Sequence, residues 1–117
     1  MKGKIGDRQR LIHILESISE IEQYTSKAKF TTFLENSMMR FACVKQMEII
    51  GEAANYITEE TKSKFTEIQW RQIIGLRHIL VHEYFGIDNN LIWQIIADDI
   101  PKLKVSIQKV LESLDNN

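Results

Sequence analysis

Apolar residues recur at intervals of three and four along most of the chain, which is the spacing of an amphipathic helix. The first run predicts a helix over residues 7–28, and its apolar face is made of Leu11, Ile14, Leu15, Ile18, Ile21 and Tyr24. A second helix is predicted over residues 32–57, because Thr32-x-x-Glu35 has the spacing of a capping box. Its apolar positions are Phe33, Phe41, Val44, Met47 and Ile50.

The second half of the chain also has capping patterns and apolar residues at helical spacing. Thr58 is followed by two glutamates, which predicts a short helical turn. Thr66-x-x-Gln69 predicts a capping box for a helix that Gly86 ends, and Asp88 is expected to cap the next one. The last helix has apolar positions at Ile92, Ile96, Ile100, Leu103, Ile107, Val110 and Leu114. Pro101 lies within it and predicts a kink near Ala97, because proline lacks an N–H donor.

These patterns predict an all-α fold, an antiparallel bundle of four to five helices. One proline and five glycines interrupt the 117 residues, and no segment has the alternation of a strand. We expect residues 1–117 to form a single domain. Apolar residues make up 44% and charged residues 26%, which is ordinary for a globular protein.

Charge and cysteine content narrow the possible functions. Fifteen basic and sixteen acidic residues give a net charge of −1, which disfavours a protein that coats nucleic acid but leaves a nuclease possible. The single cysteine, Cys43, permits no internal disulfide. No apolar run approaches the roughly 20 residues that cross a bilayer. We therefore expect a cytoplasmic protein with no membrane contact.

The most unusual feature is an arginine within an apolar segment, which also holds two histidines and a tyrosine. Arg77 is surrounded in sequence by Ile73, Ile74, Leu76, Ile79, Leu80 and Val81. A guanidinium removed from water needs a partner, so Arg77 should pair with a carboxylate, face a cleft or face another copy of the chain. The simplest alternative is a structural ion pair with Glu48 or Glu52. On an ideal helix, Arg77 and His82 point about 140° apart, so two copies of the helix could together assemble one site.

The motif Arg77-x4-His82-x-Tyr84 resembles the signature of the HEPN superfamily, and specifically of the HepT-like toxin family. A polar residue, His78, directly follows the arginine, as it does in that family. The element Ile-Gly-Glu-Ala at residues 50–53 and the continuation Tyr-Phe-Gly-Ile-Asp at residues 84–88 are also similar to it. The resemblance covers nearly the whole chain.

The resemblance implies a HEPN-like homodimer with a composite site that cleaves RNA without a metal or other cofactor. It implies that Arg77 and His82 are the catalytic residues of this endoribonuclease. It also implies the toxin of a type VII-like toxin–antitoxin pair, whose MNT-type nucleotidyltransferase antitoxin silences it by AMPylating Tyr84. His78 and Glu52 are assigned supporting roles, with Glu52 orienting Arg77.

Several other interpretations of these residues stay open. The chain could be a non-catalytic helical module that docks a nucleotidyltransferase, or a nucleotide-binding subunit. His78 and His82 could form half of a zinc site, although His13 and Cys43 are the only other soft ligands. Tyr84 could be a core aromatic residue.

The remaining residues of interest are predicted to have structural roles. Gly51, Ala53 and Ala54 are expected to allow close helix packing. His13 is expected to be exposed. Core positions are predicted for Cys43, Met38, Met39 and Met47. Core or interface positions are predicted for Trp70 and Trp93.

Overall fold

A computed structural model describes residues 2–79 and 88–116, and every regular element in these two ranges is helical. The α-helices are α1 (Lys2–Tyr24), α2 (Phe30–Glu35), α3 (Ser37–Asn55), α4 (Glu59–Lys64), α5 (Trp70–Gly75), α6 (Asn89–Gln94) and α7 (Ile100–Asp115). A 3₁₀ turn at Leu76–His78 follows α5, and a π-helical turn at Ile95–Asp99 joins α6 to α7. The predicted all-α fold is confirmed.

The core lies where α1 packs against α3 and α7. The predicted apolar face of α1 supplies fully buried side chains at Leu11, Ile14, Ile18 and Ile21. They meet equally buried residues of α3 and α7, namely Val44, Met47, Ile50, Ile107 and Val110. Each large aliphatic side chain buried in this way contributes about 1.5–3 kcal/mol relative to exposure.

The predicted helix over residues 32–57 is two helices that meet at Asn36. The Asn36 side chain accepts a hydrogen bond from Met39 N at 3.0 Å and so caps the start of α3. Asparagine commonly does this, because its short amide competes with the backbone for helical hydrogen bonds. The capping box at Thr32 is wrong, since α2 starts at Phe30 and the Thr32 hydroxyl accepts from Lys29 N within its first turn.

A buried carboxylate fixes the start of α4, where Thr58 is the N-cap as the sequence indicates. Asp7 is 1% exposed and accepts from Thr58 N at 2.9 Å, from Thr58 Oγ1 at 2.6 Å and from Thr61 Oγ1 at 2.5 Å. This cluster joins α1 to α4 across 51 residues of sequence. The sequence has no local signal for this role of Asp7, because its hydrogen-bond partners are distant in the chain.

Helix α5 starts at Trp70 and has no side-chain cap, so the box predicted at Thr66 is wrong. The indole instead positions this helix, since Trp70 Nε1 donates to Phe65 O at 3.0 Å and the ring is buried. The α-helical geometry lasts for six residues and then tightens into the 3₁₀ turn that carries Arg77. The predicted end of this helix at Gly86 lies outside the described residues.

The α-helical geometry of the C-terminal segment is interrupted near Ala97, where the position of Pro101 predicts a kink. Asp88 caps α6 by accepting from Leu91 N at 3.2 Å. The π-helical turn then includes Ala97, and Ile100 N donates to Ile95 O across its wider loop. Pro101 follows in the first turn of α7, where a missing N–H is tolerated. Among the described helices, none is both long and apolar enough to cross a membrane.

Candidate active site around Arg77

Arg77 lies where α3 and the 3₁₀ turn approach each other at backbone distance. Gly51 of α3 is buried against this turn, and it has no side chain to separate the two elements. A Cβ added at Gly51 would lie 3.0 Å from Arg77 Cβ and 3.0 Å from Ile73 O, and closer still to Arg77 N. The predicted role of Gly51 in close helix packing is therefore confirmed, and the same contact sets the position of Arg77.

The Arg77 side chain is partly buried, at 29% exposure, and has two described partners. Its Nη1 lies 4.0 Å from Glu52 Oε2, and its Nε donates to His78 Nε2 at 3.0 Å. The Glu52 side chain is 53% exposed, so this long ion pair is worth well under about 1 kcal/mol. The sequence left Glu48 and Glu52 as possible partners, and the structure selects Glu52.

The hydrogen bond from Arg77 Nε also orients the guanidinium relative to the neighbouring imidazole. His78 Nε2 is the acceptor of this bond. Within the described part of the chain, Arg77 Nη2 has no hydrogen-bond partner. Nε and Nη1 of the guanidinium therefore have partners, while Nη2 still has N–H donors for an anion. A guanidinium group suits phosphate oxygens, because its planar N–H groups can donate to two oxygens at once.

Two of the predicted site residues, His82 and Tyr84, lie outside the described residues. The alternative in which His78 and His82 form half of a zinc site depends on His82, so it also lies outside the described residues. Among residues 2–79 and 88–116, no group of three or more His, Cys, Asp or Glu side chains is placed to hold a metal ion. The structure therefore brings together Arg77, His78 and Glu52 of the predicted set.

Cys43 and His13 have the structural roles that the sequence indicates. Cys43 is fully buried, and desolvation raises the pKa of its thiol to about 11. A thiol in this state is neither a nucleophile nor a metal ligand at neutral pH. His13 is exposed on α1.

An open cavity of about 510 Å³ is lined in part by α5. Leu76, which neighbours Arg77 in sequence, lines it together with Leu91 of α6 and Leu103 of α7. Gln72 and Asp99 add polar side chains to the lining. No sequence pattern predicts this cavity, because its lining comes from elements that are distant in the chain.

Comparison with known proteins identifies the family. Residues 14–110 match the family model described as Ribonuclease HepT-like, and the chain belongs to that family. This confirms the resemblance drawn from the motif at Arg77.

Relatives from archaea agree with the family assignment. The chain is 41% identical over 100 residues to "Putative RNase MJ1380" of Methanocaldococcus jannaschii, an alignment that covers 86% of this chain and 92% of that protein. It is 36% identical over 107 residues to "Probable ribonuclease HepT" of Thermococcus cleftensis, covering 92% and 97% respectively. A third match, at 41% over 107 residues, covers 92% of this chain but 48% of "Gamma-glutamylcyclotransferase and putative RNase MJ0434" of M. jannaschii. No solved structure matches the chain.

Proposed function

We propose that this chain is an endoribonuclease that cleaves RNA without a metal, with Arg77 and His82 as its catalytic residues. The observation that carries the proposal is the state of Arg77. Its guanidinium is oriented by His78 and Glu52, yet it is only weakly neutralised and has donors left over. Together with membership of a ribonuclease family, this favours a phosphate site over a purely structural arginine.

The chemistry needs a base for the 2′-hydroxyl, an acid for the departing 5′-oxygen and positive charge for the phosphorane. An imidazole changes its protonation state near neutral pH, so His82 can take or give the proton. Arg77 stabilises the negative charge that develops on the phosphate oxygens. The 2′-oxygen attacks phosphorus and the P–O5′ bond breaks, which leaves a 2′,3′-cyclic phosphate.

The acid and the base must be two separate groups, which is the reason for proposing a homodimer. One His82 in each copy supplies one base and one protonated acid, and two copies of Arg77 supply the charge. A site shared between two copies also explains why a strongly apolar stretch of sequence carries these charged and polar residues.

We further propose that the protein is the toxin of a type VII-like toxin–antitoxin pair. Its antitoxin would be an MNT-type nucleotidyltransferase that transfers AMP from ATP to the Tyr84 hydroxyl. Tyr84 is two residues from His82, so the added nucleotide would bring bulk and negative charge where the RNA backbone must enter. Steric exclusion and like-charge repulsion would then both oppose cleavage.

A second candidate function is a non-catalytic module that docks a nucleotidyltransferase, with Arg77 as a structural residue. The observation in its favour is the ion pair between Arg77 and Glu52. The 4.0 Å separation and the exposure of both side chains make that pair a weak stabiliser, so we prefer the enzyme.

The test is cleavage of RNA by the purified chain in excess chelator. We expect 2′,3′-cyclic phosphate ends from the wild type, and a loss of at least about a hundredfold in Arg77→Ala and His82→Ala. The matched control is Arg71→Ala, since Arg71 is an exposed arginine on α5, the helix that precedes the 3₁₀ turn of Arg77, and its loss should change the rate only a few fold. Folded, inactive wild-type protein would favour the docking module.

The modification has a separate test. Incubation with the partner nucleotidyltransferase and ATP should raise the intact mass of the wild type by AMP units, and Tyr84→Phe should abolish that increase. An AMP adduct on Tyr84→Phe would reject this assignment.

A further inference from the structure

Several large side chains along α3 are exposed to solvent. The predicted core position of Met38 and the predicted apolar-face position of Phe41 are wrong, since these residues are 79% and 54% exposed. Tyr56, the C-cap of α3, is 58% exposed. Single exposed apolar residues are ordinary on protein surfaces. Tyr56 has a further feature, because an arginine side chain lies over its ring.

The guanidinium over the Tyr56 ring belongs to Arg10 of α1. Arg10 Cζ is 5.2 Å from the ring centroid, which is within the range of a cation–π contact. Arg10 Nη1 also donates to Gly6 O at 3.3 Å, which holds the guanidinium against its own helix. Among the described side chains, Arg10 forms no ion pair. The ring therefore lies beside a positive charge that no described carboxylate neutralises.

Hydrogen bonds on both sides of Tyr56 fix the position of its backbone. Tyr56 N donates to Ala53 O at 3.1 Å at the end of α3. Two residues later, Thr58 N and Thr58 Oγ1 donate to the buried carboxylate of Asp7. Asp7 and Arg10 are three residues apart on α1, so this contact also ties the ring to the helix that carries the guanidinium. A ring held in this way needs little further ordering when a ligand stacks on it.

Tyr56 also lies one helical turn from the candidate active site. Glu52 precedes it by four residues, so the two side chains share one face and are separated by about 6 Å along the helix axis. Glu52 Oε2 is the partner of Arg77 Nη1 at 4.0 Å. The Tyr56 ring and the Arg77 guanidinium therefore border the same end of α3.

We propose that Tyr56, supported by Arg10, stacks an unpaired base of the RNA substrate next to the phosphate that Arg77 binds. This inference rests on the proposed function and adds a base-binding residue to it. Bases stack on aromatic side chains with little dependence on sequence, because every base has a π face. A base within a duplex is already stacked and paired, so the substrate must be single-stranded at this position.

The ring and the two arginines act on different parts of a nucleotide. Tyr56 contacts the base, whereas Arg77 and Arg10 attract phosphates. The charge of Glu52 lies between them and is opposed by Arg77. Because the net charge of the chain is −1, attraction for RNA depends on such local cations. A base fixed one turn away restricts the positions that the phosphate can take, which favours attack by the 2′-oxygen.

Binding of a short single-stranded 2′-O-methyl RNA to the full chain tests the proposal, because this RNA lacks the nucleophile and cannot be cleaved. In fluorescence anisotropy, Tyr56→Leu should bind about tenfold or more weakly, since one stacked base contributes about that factor. Tyr56→Phe keeps the ring and should bind as the wild type does. The matched control is Phe41→Leu, an exposed ring on the same helix about 16 Å from Glu52, which should have no effect.

Changes in the RNA complete a double-mutant cycle with Tyr56→Leu. An abasic ribose-phosphate chain of the same length has the same charge but no base to stack. The wild type and Tyr56→Leu should therefore bind this chain equally well. Annealing the RNA to its complement should also remove the difference between the two proteins, because its bases are then paired.

Arg10→Gln tests the charge beside the ring. It should weaken RNA binding and make the plot of log K against log salt shallower by about 0.7, as expected for one cation on a single strand. Lys109→Gln, an equal charge change at an exposed position of α7, should leave that slope unchanged. Circular dichroism establishes that each variant is folded.

The outcomes separate this inference from the proposed function. RNA binding that depends on Tyr56 in a chain with no RNase activity would support base stacking and reject the enzyme. An active RNase with the same RNA affinity and KM in the wild type and Tyr56→Leu would overturn base stacking and leave the enzyme. A Tyr56→Leu defect that persists on the abasic chain, or that accompanies loss of a dimer in analytical ultracentrifugation, would assign the ring a structural role and also overturn it.

Discussion

Gly51 offers the sharpest test of how the fold positions Arg77. Replacing glycine with alanine inside a helix normally stabilises a protein by about 0.5–1 kcal/mol. At Gly51 the new methyl group would meet Arg77 N, Arg77 Cβ and Ile73 O, all at or within 3.0 Å. Two of these three atoms are backbone atoms, so a change of rotamer cannot relieve the clash.

We therefore expect Gly51→Ala to destabilise the protein, because the 3₁₀ turn must move away from α3. Overpacking of this kind costs about 1–3 kcal/mol, which exceeds the gain in helix propensity. Urea unfolding followed by circular dichroism measures the change in the free energy of unfolding. Displacement of Arg77 should also reduce RNA cleavage, and a shift of about 1 Å can cost about a hundredfold.

Gly75 provides the matched control for Gly51. It lies at the end of α5, directly before the 3₁₀ turn that Gly51 contacts. It ends α5 with helical dihedral angles, and a Cβ there would meet nothing within 4 Å. Gly75→Ala should therefore be neutral or stabilise the fold by up to about 1 kcal/mol, with RNase activity retained. Equal stability and activity of the two variants would refute the conclusion that Gly51 positions the arginine.

Three further predictions follow from the described contacts. Asp7→Ala should lower the free energy of unfolding by about 2–3 kcal/mol in a urea titration, because Thr58 loses two hydrogen bonds to a buried carboxylate. A loss below about 0.5 kcal/mol would contradict that role. The Cys43 thiol, with its pKa raised to about 11 by burial, should resist alkylation near pH 8 until the protein unfolds, so rapid labelling of the folded chain would count against the described packing. His78→Phe removes the acceptor for Arg77 Nε and should reduce kcat about tenfold with little change in KM. A changed KM with unchanged kcat would instead indicate that His78 binds substrate.

The weak pairing of Arg77 has a consequence for its chemistry. A structural arginine is usually held by short contacts to a buried carboxylate, since desolvation must be repaid. Arg77 instead has a 4.0 Å contact to a half-exposed glutamate and one hydrogen bond to an imidazole. This arrangement orients the guanidinium without neutralising it, as an anion site requires.

Local patterns in the sequence determined the helices and the motif. The three-and-four spacing in α1 predicted four fully buried side chains, because the period of a helix places them on one face. Asp88 and Thr58 were identified as caps, since a cap bonds to amides within three residues. The motif at Arg77 indicated the family without any packing information, and comparison confirmed it.

The tertiary structure alone decided which of several possible partners each residue meets. Glu48 and Glu52 are one turn apart on α3, and the close approach at Gly51 brings Arg77 to Glu52. Periodicity shows which residues share a face, but only the packing of α3 shows that one apolar face is buried and that Phe41 lies on the other. The physical reason is the sequence separation of the interacting residues. Helical spacing and caps involve residues a few positions apart, whereas burial and ion pairing depend on segments that meet only in the folded chain.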